Sequence, residues 1–433
     1  MSGAYVTLFT KNNSMSKVLI ITDTVPNIYH GGGGVTSFSI IKSLIKLGHK
    51  VDLLALSKNE FNYEGRNDDT YKEQLYNIGI NKIDVLNNVS TNKVNIFRKF
   101  LPRIKDLFSG YLSGNLIQVL LNSEKHDIVF AYHWDAIVSI QQITNIPKLG
   151  IVGDPIHLPY LYRKEYYKRV NISKFNILFV KQWLLEKTQI SRKIKIMNML
   201  LKSCNVSGAF AAHHAFDFQN SGVDNCKYFR TPVYDPLTSL NKNPKSNSKF
   251  KILHIGHLQG IATVTGVEIL AKEVIPNLDK LIGEDNYELH LVGGHFDTLP
   301  ILLKQLLTKN NIKIRGQVSP SDQEFLSSNI LLVPTPIELG IRVRIITGLS
   351  YGNCIISHIA NSKGIPELVN NQNCILSNDG VALAKACFDV YKNENKRIDL
   401  AINARKTYEK YFSVETAGKE ISNCLLTIIK NKT

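Results

Sequence analysis

The chain has 433 residues, of which 44% are hydrophobic and 20% charged, and it carries a formal net charge of +16 at pH 7. This length suits two domains of about 150–200 residues each, and the apolar content excludes a disordered or fibrous chain. The excess of Lys and Arg favours an anionic partner, such as a phosphorylated substrate, an acidic lipid surface or nucleic acid.

The cysteines and the apolar segments indicate the compartment. Six cysteines occur without any Cys-x-x-Cys or Cys/His pairing, which argues against a zinc site or a disulfide framework and is typical of a reducing cytosol. The longest apolar runs, such as Val18 to Ile21, are too short to span a membrane. The first fourteen residues lack the apolar core of a secretory signal. We therefore predict a cytoplasmic protein.

The first elements form a strand–helix–strand unit. Lys17 to Asp23 is a continuous apolar run typical of a buried parallel strand, and four glycines, Gly31 to Gly34, follow it. A helix is predicted from about Val35 to Leu47, and a second strand from Val51 to Leu56. The glycines therefore lie on the ligand side of a parallel sheet. They do not match Gly-x-Gly-x-x-Gly, so a dinucleotide site is not favoured. A ligand loop is favoured over a plain turn because four glycines would weaken an ordinary connection.

Two later strands of the first half end in polar residues. Asp127 to Tyr132 leads to His133 and Trp134, and the strand from Lys148 to Gly153 leads to Asp154. The carboxyl ends of parallel strands are where such sheets bind ligands. Asp154 either contacts a ligand or caps the next helix, and the residues alone do not separate these interpretations.

Positive charge is concentrated in the stretch from Arg163 to Lys202. It holds eleven basic residues against Glu165 and Glu186, a net charge of +9. Either a solvated helical face or a membrane-surface helix would have this composition. The adjacent His213 and His214 invite a metal interpretation, but no third ligand is near in sequence, so we predict no metal site.

The segment from Pro334 to Leu368 is the most informative part of the second half. An apolar strand, Ile330 to Val333, precedes the loop Glu338 to Gly340, which opens a helix predicted from Arg342 to Tyr351. A second strand, Cys354 to Ser357, follows after Gly352, so the segment reads as a parallel crossover unit. Backbone N–H groups at a helix start, with Arg342 and Arg344 close by, suit a phosphate group.

These residues resemble the donor-sugar site of the family 4 glycosyltransferases. A subgroup of that family has the pattern Gly-x-Arg-x-Lys-x-x-Glu, on which Gly340, Arg342 and Arg344 fall. A later loop of the family, Gly-rich and ending in Pro-Glu, is matched by the residues Gly364, Ile365, Pro366 and Glu367.

The chain also departs from this family pattern. The second family Glu, which holds the nucleotide ribose, falls on Thr347, and the first falls near Glu338 only with a one-residue slip. The family Arg that follows the Gly of the first loop of the second domain is His257, and the family Lys of that region is Thr265. Both replacements remove positive charge from a site that stabilises an anionic leaving group.

The resemblance implies the α/β GT-B fold, with two Rossmann-like, doubly wound domains, a cleft between them, and a C-terminal helix crossing back. We place the acceptor-side domain at 15–235, the nucleotide-sugar-binding domain at 250–412, and the returning helix at 413–433. Residues 233–249 are rich in Pro, Asn, Ser and Lys, as expected of a linker. The apolar residues of the last segment have helical spacing: Val414, Ala417, Ile421, Leu425 and Ile428.

The resemblance also implies roles for individual residues. The predicted donor-binding residues share a position on loops or helix starts that face the cleft: Gly33, Gly34, Gly256, His257, Arg342, Arg344, Thr347, Gly364, Ile365, Pro366 and Glu367. The predicted catalytic residues are Glu338, which would bind donor hydroxyls, and His133, which would lie near the acceptor. The alternative for His133 is a histidine at the rim of the site that has only a structural partner. Trp134 would stack on an acceptor sugar and Asp154 would orient one of its hydroxyls.

The function implied is transfer of a hexose from a nucleotide sugar to a saccharide or lipid-linked saccharide. Family members retain the anomeric configuration and need no bound metal or other cofactor, the nucleotide sugar being a co-substrate. Synthesis of a cell-surface polysaccharide at the inner face of a membrane would fit the basic stretch. Nucleic acid is not favoured, because no recognition helix, RNA-binding motif or zinc finger is visible. A non-catalytic GT-B partner of another glycosyltransferase, or a sugar-nucleotide epimerase, remains open.

Overall fold

A computed structural model of the protein describes residues 15–23, 25–28, 31–57, 70–87, 117–118, 120–122, 125–141, 143–169, 177–238 and 249–432. The first fourteen residues and residues 239–248 of the predicted linker lie outside these ranges. The predicted domain boundaries at 235 and 250 therefore remain predictions, and the two halves of the chain are described here through their sheets.

The first half of the chain builds a parallel sheet of seven strands in the order β3-β2-β1-β4-β5-β6-β7. The strands are β1 (Lys17–Thr22), β2 (Lys50–Ser57), β3 (Lys82–Asn87), β4 (Ile128–Tyr132), β5 (Lys148–Val152), β6 (Val206–Ala209) and β7 (Cys226–Tyr228). Helices connect them: α1 (Gly32–Lys46), α2 (Thr70–Asn77), α3 (Trp134–Ser139), α4 (Leu158–Arg169), α5 (Ile177–Lys202) and α6 (Ala212–Asn220). Apolar side chains are buried on both faces of the sheet, which explains why its central strands are continuous apolar runs.

The second half repeats this plan with six parallel strands in the order β10-β9-β8-β11-β12-β13. The strands are β8 (Phe250–Ile255), β9 (Tyr287–Val292), β10 (Ile312–Gly316), β11 (Ile330–Val333), β12 (Cys354–His358) and β13 (Ile375–Ser377). The helices are α7 (Ile261–Ile269), α8 (Ile275–Leu281), α9 (Ile301–Leu307), α10 (Asp322–Leu326), α11 (Val343–Ser350), α12 (Gly380–Lys392) and α13 (Glu394–Tyr411). A π-helical turn, Leu270–Val274, joins α7 to α8.

The last helix, α14 (Thr416–Lys430), crosses back and packs against α1 of the first half. Its spaced apolar side chains are buried, and Ile421, Leu425 and Ile428 belong to the core that also contains Val18 and Phe38. Gly418 permits the close approach, since a Cβ at this position would lie 2.2 Å from Ser43 Cβ. The helical spacing read from the sequence is therefore the face that the structure buries.

Three contacts fasten the segment after β7 to α13 and its C-terminal end. Val233 forms a bridge with Ser413, and the Tyr408 hydroxyl donates to the Val233 carbonyl at 2.8 Å. Arg405 forms a two-armed ion pair with Asp235, with N–O distances of 2.8 and 2.6 Å. The end of the first half, at Val233 and Asp235, is thus held against α13 of the second half.

Each sheet has one point where its strand order reverses, between β1 and β4 in the first and between β8 and β11 in the second. Parallel sheets bind ligands in the crevice beyond the carboxyl ends of the strands at such a point. The loops after these four strands carry the glycine run, His133, Gly256 with His257, and the Pro334–Arg342 segment.

No helix within the described ranges is both long enough and apolar enough to cross a membrane. All six cysteines fall within those ranges and are free thiols.

Candidate active site

A cavity of about 760 Å³ lies between the two halves, at the reversal points of both sheets. The first half contributes Gly31, Gly32 and Val35 to its wall. The second half contributes the loop after β8, the glycine pair after β9, the β10–α10 connection and the start of α11. A small organic ligand of nucleotide size fits a cavity of this volume.

The glycine run forms the first turn of α1, not a loop before it. The helix begins at Gly32 instead of the predicted Val35, because Gly31 adopts φ +62° and precedes it as the N-cap. Gly32 faces the second half, where a Cβ would lie 3.1 Å from Val343 Cγ2. The free N–H groups of this helix start therefore lie at the cavity wall, where they suit an anion.

The predicted donor residues Gly33 and Gly34 are not part of the cavity wall, and their role remains a prediction. The glycines at the cavity wall are Gly31 and Gly32, two positions earlier. Gly34 is buried on the other side of the helix, where a Cβ would lie 2.9 Å from the Val25 carbonyl oxygen. Which glycines of the run face the cavity depends on where the helix begins, and the sequence alone does not determine that residue.

Arg344 on α11 is the main charged group of the cavity wall. Its Nη1 donates to the Ile255 carbonyl at 2.7 Å and to Thr263 Oγ1 at 3.3 Å, and its Nη2 donates to Thr335 Oγ1 at 3.2 Å. These partners are all neutral, and burial, with Arg342 nearby, lowers the pKa of Arg344 to about 9. An anion in the cavity would relieve the cost of this buried charge.

Gly256 is required by Arg344. A Cβ at Gly256 would lie 1.7 Å from Arg344 Nη1, so the guanidinium occupies the space that any other side chain would need. His257 follows at the cavity wall, and its predicted role in binding the donor remains a prediction. The pairing of Gly256 with Arg344 joins β8 to α11 and orients the cation.

Arg342 and Asp154 meet at the boundary between the halves. Asp154 lies against Gly340, where a Cβ would be 1.7 Å from Asp154 Oδ1, and Gly340 has φ +60°. Burial raises the pKa of the Asp154 carboxyl, and Arg342, His133 and His213 oppose that shift. The carboxylate thus faces Arg342, which also donates to the Leu339 carbonyl. Asp154 is not part of the cavity wall, and its roles as an acceptor ligand or as a helix cap both remain predictions.

His133 and Trp134 leave β4 in different directions. His133 adopts φ +72° and its ring lies against Gly153, beside Asp154. Trp134 is buried in the core of the first half, packs edge-on against Phe218, and donates from its indole nitrogen to the Asp154 carbonyl at 2.8 Å. The indole ring is therefore a core element, not a platform in the cleft as the sequence interpretation had it.

Glu338 is not part of the cavity wall. Its carboxylate is partly exposed and forms an ion pair with Lys363 at 2.6 Å. Its carbonyl oxygen instead joins the halves, accepting from the Tyr162 hydroxyl at 3.1 Å and pairing with His213 Nε2 at 3.2 Å. The predicted role in binding donor hydroxyls would require this carboxylate to leave Lys363.

The Gly364–Glu367 loop holds the halves together and does not line the cavity. The Glu367 carboxylate is buried and accepts from Arg230 Nε at 2.7 Å and from the Tyr228 hydroxyl at 3.0 Å, both in the first half. Gly364 is pressed against the Gly340 carbonyl and accepts at its own carbonyl from Ala212 N–H at 3.2 Å. The expectation that the loop closes over a donor remains a prediction. Ile365 is likewise buried, whereas Pro366 is exposed.

The far end of the cavity contains residues that the sequence did not single out. Thr347 lines the cavity, and its hydroxyl donates to the Val343 carbonyl at 3.1 Å. Asp322, Gln323 and Tyr351 lie at the same end, and the Tyr351 hydroxyl donates to Asp322 Oδ1. Asp322 and Gln323 begin α10 and Tyr351 follows α11, and none of them belongs to a motif. Only the folding of β10, α10 and α11 onto one edge could reveal them.

The paired histidines do not form a metal centre with other ligands. Their rings lie 4.0 Å apart, and burial lowers the pKa of His214 to about 3. Within the parts of the chain that the structure describes, no group of three or more His, Cys, Asp or Glu side chains is arranged to hold a metal ion.

Comparisons with known proteins give structural relatives only. No protein-family model matches the chain, and no curated protein matches its sequence. Among solved structures, a glycosyltransferase from Rickettsia africae ESF-5 is 17% identical, with a TM-score of 0.63, and the match covers 96% of this chain and 100% of that chain.

Two further solved structures match over similar lengths. HepE from Anabaena in complex with UDP is 14% identical, with a TM-score of 0.65 and coverage of 95% and 100% of the two chains. Sucrose-phosphate synthase from Thermosynechococcus elongatus is 11% identical, with a TM-score of 0.66 and coverage of 96% and 100%. The predicted fold class is confirmed: the chain has the two-domain GT-B fold of these glycosyltransferases.

Proposed function

We propose that the protein is a glycosyltransferase that binds a nucleotide sugar in the cavity between its two halves and transfers the hexose to an acceptor. The observation that carries the proposal is Arg344, a mostly buried cation at the cavity wall whose hydrogen-bond partners are all neutral. A diphosphate is the kind of ligand that such a cation and the adjacent start of α1 would stabilise. The UDP bound by HepE, a protein of the same fold, supports this ligand class.

In the proposed reaction, the bond between the anomeric carbon and the diphosphate oxygen breaks, and a bond to the acceptor oxygen forms. The departing diphosphate carries the negative charge that develops, and Arg344, His257 and the N–H groups at Gly32 would stabilise it. The acceptor hydroxyl gives up its proton, for which the leaving phosphate oxygen and His133 are the proposed recipients. We propose that the configuration is retained without a metal or other cofactor, as in family 4.

The acceptor proposed is a saccharide or lipid-linked saccharide, within cell-surface polysaccharide synthesis at the inner face of a membrane. The basic stretch 163–202 supports it, because α5 also exposes Ile177, Val180 and Trp183 near its start. Cationic and apolar side chains on one helix favour binding to anionic lipid. Flotation with liposomes tests this role: recovery should be higher with anionic than with neutral vesicles, and equal recovery would count against it.

Nucleotide binding tests the proposal directly. The purified protein is screened by thermal shift and calorimetry against UDP, GDP, ADP and CMP and their sugars. A bound nucleoside diphosphate stabilises the native state in proportion to its concentration, so Tm should rise as ligand is added. A folded sample without affinity for any of them would exclude the proposal.

A second candidate is a non-catalytic GT-B protein that acts as partner of another glycosyltransferase. Two carboxylates that were predicted to bind the donor form ion pairs within the protein instead: Glu338 with Lys363, and Glu367 with Arg230. These ion pairs favour the second candidate. The two candidates separate in a hydrolysis and transfer assay. A protein that binds a nucleotide sugar but never releases its nucleoside diphosphate, with any acceptor tried, would favour the partner role.

A further inference from the structure

Two histidines from neighbouring loops meet beside the cavity. His257 follows Gly256 at the end of β8 and forms part of the cavity wall. His295 follows Gly293 and Gly294, which line the cavity after β9. The two ring centroids are 4.9 Å apart with the planes tilted by 59°. Because β8 and β9 are adjacent strands, the fold itself brings these rings together.

A positive charge lies near the pair, and no carboxylate contacts either ring in the described part of the chain. That charge is on Arg344 of α11, which lies directly behind Gly256. The buried His254 of β8 is neutral, because burial and Arg344 lower its pKa to about 3. Across the described ranges, neither ring of the pair has a hydrogen bond or ion pair to a carboxylate. Asp297, two residues after His295, is the acidic residue closest in sequence, and it forms no bond to either ring. The ring nitrogens are thus available to a ligand.

Adjacent imidazoles disfavour being charged together. Partial burial and the neighbouring His295 both lower the pKa of His257. In the free protein near neutral pH, His257 is therefore neutral. An anion beside the pair reverses this balance, because an opposite charge within about 4–6 Å favours the protonated form.

We propose that the His257–His295 pair takes up a proton when the cavity binds a diphosphate group, so that affinity for a nucleotide sugar rises as pH falls. This inference rests on the proposed function and deepens it by naming how the phosphate contact is regulated. It makes His257 a pH-dependent phosphate ligand and adds His295, which no sequence pattern singled out.

The direction and range follow from linkage. Ligand binding raises the affinity of the pair for a proton, so nucleotide affinity increases as pH falls from the pKa of the bound state to that of the free state. Uptake of one proton limits this increase to about tenfold per pH unit. Below the pKa of the free state the affinity becomes constant.

The test uses UDP-glucose, GDP-mannose and ADP-glucose as probes, because their diphosphate diesters have no phosphate group that titrates near neutral pH. Binding is measured by calorimetry at about pH 6, 7 and 8, each in two buffers of different ionisation enthalpy, which yields the number of protons taken up. For the probe that binds, we expect Kd to weaken at least about threefold from pH 6 to pH 8, with net uptake of a fraction of a proton up to one.

Three variants assign the effect to the pair. His257→Gln and His295→Gln each should reduce the proton uptake and flatten the dependence on pH. His257→Arg should bind the probe tightly at every pH without proton uptake, since its charge is permanent. His358→Gln, on β12 and outside the cavity wall, is the matched control and should behave as the wild type.

The outcomes are distinct. Binding that is independent of pH and free of proton uptake would overturn this inference while leaving the proposed function standing. Wild-type pH dependence in both His257→Gln and His295→Gln would overturn it as well, provided that the variants keep the wild-type Tm. Failure of every probe to bind at every pH would overturn the proposed function and this inference together.

Discussion

Replacement of Arg344 by Met separates ligand binding from fold stability. The guanidinium already uses Nη1 and Nη2 on Ile255, Thr263 and Thr335, whereas its buried Nε has no partner in the described part of the chain. Of its five N–H donors, that of Nε and one of Nη2 are therefore unused, and we count one new hydrogen bond to a phosphate oxygen. A charge-assisted bond of this kind contributes about 1.5–3 kcal/mol, so Arg344→Met should weaken nucleotide-sugar binding about 10- to 150-fold.

The effect on folding should be much smaller. Burial lowers the pKa of Arg344 to about 9, which means that the folded protein disfavours the charged form. Removing the charge relieves that cost, while losing three bonds to neutral oxygens opposes the gain. We therefore expect the free energy of unfolding of Arg344→Met to change by no more than about 2 kcal/mol in either direction.

Calorimetry with the nucleotide sugar that the screen identifies measures the first quantity, and urea denaturation measures the second. Arg315→Met is the matched control, because Arg315 is also a second-half arginine, pairs with Glu324 at 3.1 Å and lies outside the cavity wall. Its nucleotide affinity should equal that of the wild type. Unchanged affinity in a folded Arg344→Met variant would refute the assignment of the phosphate site to this cation.

Three further substitutions test contacts that only the structure reveals. Gly256→Ala places a methyl group where Arg344 Nη1 lies, so calorimetry should show binding as weak as in Arg344→Met, and wild-type affinity would contradict the close approach. Gly418→Ala forces α14 away from Ser43 and should lower the free energy of unfolding by about 1–3 kcal/mol in urea; an unchanged midpoint would contradict this packing. Glu367→Gln weakens the ion pair of the buried Glu367 with Arg230 and should lower the free energy of unfolding by about 1–3 kcal/mol. An unchanged Tm would show that this ion pair does not stabilise the fold.

Local patterns in the chain were sufficient to predict most of the architecture. Continuous apolar runs bounded by glycines, such as Lys17 to Asp23, predicted buried parallel strands because such strands are covered on both faces. The helical spacing of Ile421, Leu425 and Ile428 predicted a buried face, which the structure packs into the first core. Helix boundaries followed less closely, since α1 begins three residues before the predicted Val35.

For the candidate site too, local features could be predicted from the sequence, whereas contacts between distant residues could not. A phosphate site around Arg342 and Arg344 could be predicted from the sequence, because charge beside a helix start is a local feature. The roles of Glu338, Glu367 and Trp134 were not, because each depends on a partner distant in the chain: Lys363 for the first, Arg230 for the second and the core around Phe218 for the third.

The amino-acid sequence by itself determined the two parallel sheets, the returning helix and the loops that would face a ligand, since periodicity and glycine placement act over a few residues. The tertiary structure alone decided which side chains occupy the cavity. Asp322 and Tyr351 line the cavity, and His295 lies against His257 of its wall, only because strand order brings separate loops to one edge of a sheet. Strand order is a property of long-range packing, and no local pattern encodes it.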